Sequence, residues 1–170
     1  KTEEIERGSK GLVLECTNRL SAFDRQMCEI PHKGRVLHLI SLWWFEQTSH
    51  IVPNHVWSSA NSRTLLVERC EPFMIEFVVR GYMTGTTETS IWVNYKNGVR
   101  DYCGNQLEDG YVKNQKFTTP MVTPTTKGKK DELISPKEIV ERGIMTQEDW
   151  DSCQSYAREL FRFGQETAAK

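Results

Sequence analysis

The sequence predicts an α+β protein in two lobes, with short antiparallel strands ahead of a break and a mixed section of strands and helices behind it. Three observations carry this. Apolar runs of strand length stand at residues 11–17 (GLVLECT) and 63–70 (RTLLVERC), each bounded by polar turn residues. Glu71-Pro72 then interrupts the pattern, because proline cannot donate to a sheet ladder. Beyond it, residues 73–87 (FMIEFVVRGYMTGTT) read as a strand, a glycine-punctuated loop and the approach to a helix. The expected division is residues 1–70 and 71–170, with the site between the two lobes.

Composition narrows the function classes. A chain of 170 residues can bury a sizeable core. With 22 basic and 23 acidic residues, no overall field favours nucleic acid or an anionic membrane, so neither is an expected partner. No apolar run approaches the ~20 residues of a membrane span, and the opening Lys1-Thr2-Glu3-Glu4 is not a signal peptide. The five cysteines, Cys16, Cys28, Cys70, Cys103 and Cys153, form no C-x-x-C pair. They read as free thiols in a reducing compartment rather than as a disulfide framework or a zinc site.

Taken in order, residues 1–6 are the expected hairpin partner of residues 11–17, and residues 18–24 (NRLSAFD) read as a polar loop anchored by Phe23. A turn at residues 30–34 leads into a helix over 34–49, where Val36, Leu37, Ile40, Trp43 and Trp44 recur at helical spacing. The tryptophan pair reads as core, because no basic stripe flanks it as a base-stacking platform would require. His55 has no second ligand at metal spacing and reads as structural.

The second half holds the chemistry. In residues 73–80, Met74, Glu76, Val78 and Arg80 share one strand face, and Ile75, Phe77 and Val79 share the other. Glu76 and Arg80 are thus roughly 13 Å apart on one face, and a charge buried there without a partner costs several kcal/mol. Arg80 precedes Gly81, Thr84, Gly85, Thr86 and Thr87, then an expected helix over 88–97. A fork-shaped cation, threonine hydroxyls and amides at a helix start suit a phosphate; a structural ion pair followed by an ordinary turn is the alternative. Residues 101–110 read as irregular and 119–127 as extended and proline-marked. Lys127, Lys129 and Lys130 beside Asp131 and Glu132 suit a carboxylate or phosphate substrate, with a solvated loop as the alternative. Ser135-Pro136-Lys137-Glu138 is a helix start, Thr146 caps another, and Trp150, Cys153, Ala157, Leu160, Phe161 and Gly164 form the buried stripe of the last helix.

Residues 76–85 (EFVVRGYMTG) resemble the signature strand and loop of the SAICAR synthetases, with Thr86 at the usual serine position. NRLSAFD is similar to that family's Asp-Arg-Ile-Ser-Ala-Phe-Asp segment, and Thr123-Pro124-Thr125-Thr126-Lys127 matches its Thr-Pro-Thr-Thr-Lys. SLWWFEQTSHIVPN and GVRDYCGN resemble the plant-like branch. The resemblance implies a small ATP-binding lobe hinged to a larger substrate lobe. It implies ATP-dependent joining of L-aspartate to carboxyaminoimidazole ribonucleotide, with Mg2+, in de novo purine biosynthesis. It places Lys1, Arg69, Cys70 and Glu71 at ATP, and Ser21, Asp24, Glu76, Arg80, Gly85 and Thr86 at the substrate. Lys127 and Asp131 become the catalytic pair. Glu3, Glu6 and Lys130 depart from the family pattern, in which a basic residue, a tyrosine and a histidine are usual. The resemblance further implies a cytoplasmic enzyme, or a plastid one in a plant. The family continues beyond the position of Lys170 into an Asp-x-Lys-x-Glu-Phe-Gly strand carrying metal and substrate ligands, so no metal ligand is expected here and the 170-residue chain is expected to be inert alone. A non-catalytic nucleotide- or partner-binding module of the same fold is the alternative.

Overall fold

The computed structural model describes residues 2–7, 9–23, 25–128 and 130–170, with the backbone alone at residues 2–7 and 9. The chain forms two compact units, Lys1–Glu71 and Pro72–Lys170.

The first unit is built on a four-stranded antiparallel sheet of β1 (Thr2–Arg7), β2 (Ser9–Glu15), β6 (Thr64–Glu68) and β5 (Val56–Asn61), in that spatial order. The hairpin expected at the start is present, with Glu4 opposite Leu12. The edge strand β5 escapes the pattern because only its first two residues, Val56 and Trp57, are partly buried. Residues 18–24 are not a loop. Instead β3 (Arg19–Ala22) pairs with β4 (Arg25–Glu29) in a separate hairpin, too short and too polar for alternation to reveal. Phe23 anchors nothing: it is 98% exposed at the hairpin tip, with φ of 50°.

Helix α1 (Lys33–Thr48) starts where glycine is required, since a Cβ on Gly34 would lie 2.4 Å from the carbonyl oxygen of Cys16. Asn18 Oδ1 accepts from the Gly34 amide at 3.0 Å and fixes this start. The helix is apolar around most of its circumference but buries only Gly34 and His38 fully. Trp43 is accordingly 44% exposed, not core, and packs edge-on against Trp44. His55 contacts the Phe45 ring edge-on, in keeping with a structural role.

In the second unit, β7 (Ile75–Tyr82) pairs antiparallel with β10 (Lys116–Thr126), Glu76 opposite Thr125 and Val78 opposite Thr123. Period two divides this ladder into two faces. Ile75, Phe77, Val79 and Val122 pack with Ile134, Ile139, Met145 and Trp150, which come from and around α3 (Pro136–Glu141) and α4 (Gln147–Ala168). Phe77 stacks on Trp150 at 5.1 Å; a fully buried tryptophan cut back to alanine typically costs about 3–5 kcal/mol. The capping box at Ser135 and Glu138 forms as the sequence predicts, and Thr146 caps α4. In the expected stripe of α4 only Trp150 is fully buried; the others are partly so.

A second core gathers Met83, Ile91, Tyr95, Tyr102, Cys103, Leu107 and Phe117. It contains α2 (Ile91–Lys96), shorter than the helix expected over 88–97, because Thr87 to Ser90 form a turn in which the Ser90 amide and hydroxyl both donate to the Thr87 carbonyl. A two-residue hairpin, β8 (Asp101–Tyr102) with β9 (Asn105–Gln106), stands in the segment read as irregular. Among the described residues no helix is long and apolar enough to cross a membrane.

Candidate active site

The other face of the β7–β10 ladder carries Glu76, Val78 and Arg80 beside Thr125, Thr123 and Met121; Thr123 and Thr125 are buried there, and Glu76 is exposed. The two charges of this face do not answer each other. Arg80 Nε donates to Thr123 Oγ1 at 2.9 Å and Nη2 to the Tyr102 hydroxyl at 3.4 Å, with the guanidinium carbon 5.8 Å from the Tyr102 ring centroid. Thr123 passes its own proton to the Val78 carbonyl, and Tyr102 donates to the Thr89 carbonyl. Both partners are neutral: burial pushes the Tyr102 phenol up to about 12, partly offset by the Arg80 charge. Among the described residues no carboxylate forms a salt bridge with Arg80. Among the described residues the ion-pair alternative thus finds no carboxylate for this cation.

Glu76 is answered from the other strand. Lys127 Nζ lies 3.0 Å from Glu76 Oε2 and 3.5 Å from Asp131 Oδ2, and Thr125 donates to the same Glu76 oxygen at 3.3 Å. The hydrogen bond to Glu76, reinforced by the Asp131 charge, raises the Lys127 pKa. The Lys127 amide donates to the Met74 carbonyl at 2.8 Å, which ties the end of β10 to the start of β7. Lys127, Asp131 and Glu76, separated by up to 55 residues in sequence, thus form one exposed network.

Gly85 has φ of 113°, and a Cβ there would lie 2.3 Å from Ser90 Cβ. Its need for glycine is met by the turn itself. Thr86 is exposed on that loop, and Thr84 donates to Asn114 Oδ1 at 2.7 Å to hold the loop's base. The remaining expected residues lie in the first unit. Ser21 is exposed in β3, and Arg69, Cys70 and Glu71 are exposed just past β6, with the Arg69 amide bonded to the Lys10 carbonyl. Lys1, Asp24 and Lys129 lie outside the described residues. Thr123 and Tyr102 are the partners the sequence reading missed. Thr123 falls in register with Arg80's face by the period of two, whereas nothing local marks Tyr102.

Fold and site together define an α+β protein whose ladder carries a guanidinium paired with no carboxylate among the described residues, and beside it a lysine–carboxylate network. The chain belongs to the SAICAR synthetase family, whose model matches residues 4–170. It is 52% identical over 171 residues to the chloroplastic phosphoribosylaminoimidazole-succinocarboxamide synthase of Arabidopsis thaliana, covering 100% of this chain and 42% of that protein. To the synthase of the same name from Legionella pneumophila strain Paris it is 52% identical over 158 residues, 92% of this chain and 51% of the other. The chain thus spans about half the length of these relatives. Among solved structures it resembles the Saccharomyces cerevisiae SAICAR synthase complexed with SAICAR, with a TM-score of 0.73 and 28% identity over 95% of this chain and 61% of that one. A SAICAR synthetase in complex with ADP has a TM-score of 0.72 at 19% identity, covering 99% and 66%, and shares the fold.

Proposed function

We propose that this chain supplies the ATP-binding lobe and part of the substrate lobe of an ATP-dependent carbon–nitrogen ligase that joins L-aspartate to carboxyaminoimidazole ribonucleotide. A carboxylate is a poor acyl electrophile, since resonance protects it and oxide would have to leave. Transfer of the terminal phosphoryl group of ATP to that carboxylate makes an acyl phosphate and releases ADP. The aspartate amine then attacks the acyl carbon, phosphate departs, and the succinocarboxamide is formed. Positioned cations and donors are what such a reaction asks of a protein.

The observation that carries this reading is the Arg80 guanidinium, held by two hydroxyls and matched by no carboxylate among the described residues. It suits the ribonucleotide phosphate, with the Thr86 hydroxyl on the adjoining loop. Lys127, kept charged and oriented by Glu76 and Asp131, suits the reacting carboxylate, while Asp131 and Glu76 suit polar groups of the substrates. ATP is assigned to the first unit, with Lys1 at its phosphates and the main chain at Arg69, Cys70 and Glu71 at its base; Ser21 and Asp24 complete the substrate side. Mg2+ accompanies ATP in this scheme, but among the described residues no three His, Cys, Asp or Glu side chains are grouped to hold a metal, and no step here passes through one. The plant relative's chloroplastic name and the bacterial relatives support a plastid or cytoplasmic setting.

Calorimetric titration with the ribonucleotide and with ATP separately tests the assignment. Losing a bidentate charged contact, Arg80→Ala is expected to weaken the ribonucleotide about 100-fold and leave ATP unchanged. Unchanged ribonucleotide affinity would overturn the phosphate assignment.

A further inference from the structure

The Arg80 guanidinium offers five N–H donors, and the two already engaged, Nε and Nη2, lie along the same edge of the group. The Nη1 hydrogens and the second Nη2 hydrogen have no partner among the described residues; one Nη1 hydrogen and that Nη2 hydrogen form the end edge of the fork. What holds the guanidinium in this attitude can be followed proton by proton. The single proton of Thr123 goes to the Val78 carbonyl at 3.1 Å, so towards Arg80 that oxygen only accepts. The single proton of Tyr102 goes to the Thr89 carbonyl, so its oxygen likewise only accepts from Nη2. Tyr102 is 1% exposed, and burial keeps it protonated until about pH 12, so this arrangement holds across the physiological range. Thr89 lies in the Thr87–Ser90 turn that directly follows Thr86, and the Ser90 end of that turn packs on Gly85.

We propose that Tyr102 is a positioning residue for the anion site, its hydroxyl joining the Arg80 guanidinium to the Gly85–Thr86 loop and turning the guanidinium's end edge towards the ligand. The inference rests on the reading of Arg80 as the phosphate-binding cation. Bidentate recognition needs both N–H vectors aligned at once, and a guanidinium tied only through Nε to Thr123 is free to turn about its last side-chain bonds. The ligand selected is a phosphate monoester, taken through two oxygens by the end edge and through a third by the loop.

The test uses ribose 5-phosphate and the full chain as Tyr102→Phe, Thr123→Val and Arg80→Ala. Phenylalanine keeps the ring that packs among Met83, Ile91 and Cys103 and removes only the oxygen. Tyr102→Phe is expected to bind about tenfold more weakly, and NMR of the Arg80 side chain is expected to show faster rotation of its Nη groups than in the parent. Thr123→Val is expected to weaken binding as well, and Arg80→Ala to abolish it. Parent-like affinity and parent-like rotation in Tyr102→Phe, with binding lost in Arg80→Ala, would overturn the role of Tyr102 and leave the phosphate assignment standing. Parent-like affinity in Arg80→Ala would overturn both. Should Tyr102→Phe lower thermal stability, the rotation rate of Arg80 measured well below the transition still decides.

Discussion

Lys127 Nζ sits 3.0 Å from Glu76 Oε2, a contact that joins two strands across 51 positions of sequence. Both side chains are nearly half exposed, 44% and 46%, so solvent screens the pair and its share of the folding energy is small. Its value is orientation. Glu76 and Asp131 approach the same ammonium and hold it over the ladder, and its raised pKa keeps it charged through the usual lysine range, the pairing being lost only as pH rises beyond that.

Lys127→Met is therefore expected to leave thermal stability almost unchanged while weakening the carboxylated ribonucleotide by about tenfold, the scale of one charge-assisted hydrogen bond. Glu76→Gln, which keeps the shape but not the charge, is expected to give a smaller loss. Differential scanning calorimetry and binding titration on the same samples check the split. A large drop in melting temperature with unchanged affinity would make the network structural.

Gly85→Ala tests the loop. The substitution meets both a φ of 113° and a Cβ contact of 2.3 Å to Ser90, so a cost of about 2 kcal/mol or more is expected. Gly98→Ala is the control: its φ is 93° but nothing lies within 4 Å of the added methyl, so only the backbone cost of about 1 kcal/mol remains. Chemical denaturation of the two variants should rank them in that order, and equal costs would mean that Ser90 yields freely.

What could be read from the sequence was what neighbouring residues decide. The alternation of residues 74–80 placed Glu76 and Arg80 on one face, as the ladder bears out, although Met74, expected on the same face, lies before β7 with φ of 57°. Ser135 and Glu138 are three apart, and their capping box formed as expected. The partners of Arg80 are another matter. Thr123 and Tyr102 lie 43 and 22 positions away, and only chain folding brings them within reach. Residues 19–29 hid their hairpin because the alternation of β3 runs for only four residues and β4 is exposed along its whole length. Trp43 misled for the opposite reason. A helix with apolar residues on nearly every side satisfies any spacing test, and the sheet beneath it can cover only one side.

The last prediction concerns alkaline pH. Tyr102 and Cys103 are adjacent, buried in one core, and pushed up by that burial: the phenol from 10.0 to about 12 and the thiol from 9.0 to about 11. The folded chain thus keeps two protons that the unfolded chain gives up first. Stability is fully present below the unfolded value of 9.0 and falls as pH rises through the window up to about 12, after which the slope vanishes. Each group is expected to account for on the order of 2 kcal/mol over its window. Cys103→Ala should remove the part of the decline that begins near pH 9, and Tyr102→Phe the part that begins near pH 10. Urea midpoints measured at half-unit steps from pH 8 to 11.5 give the slope directly. If the parent and both variants declined in parallel over that range, the two buried acids would not be the cause, and deprotonation elsewhere in the chain would have to be.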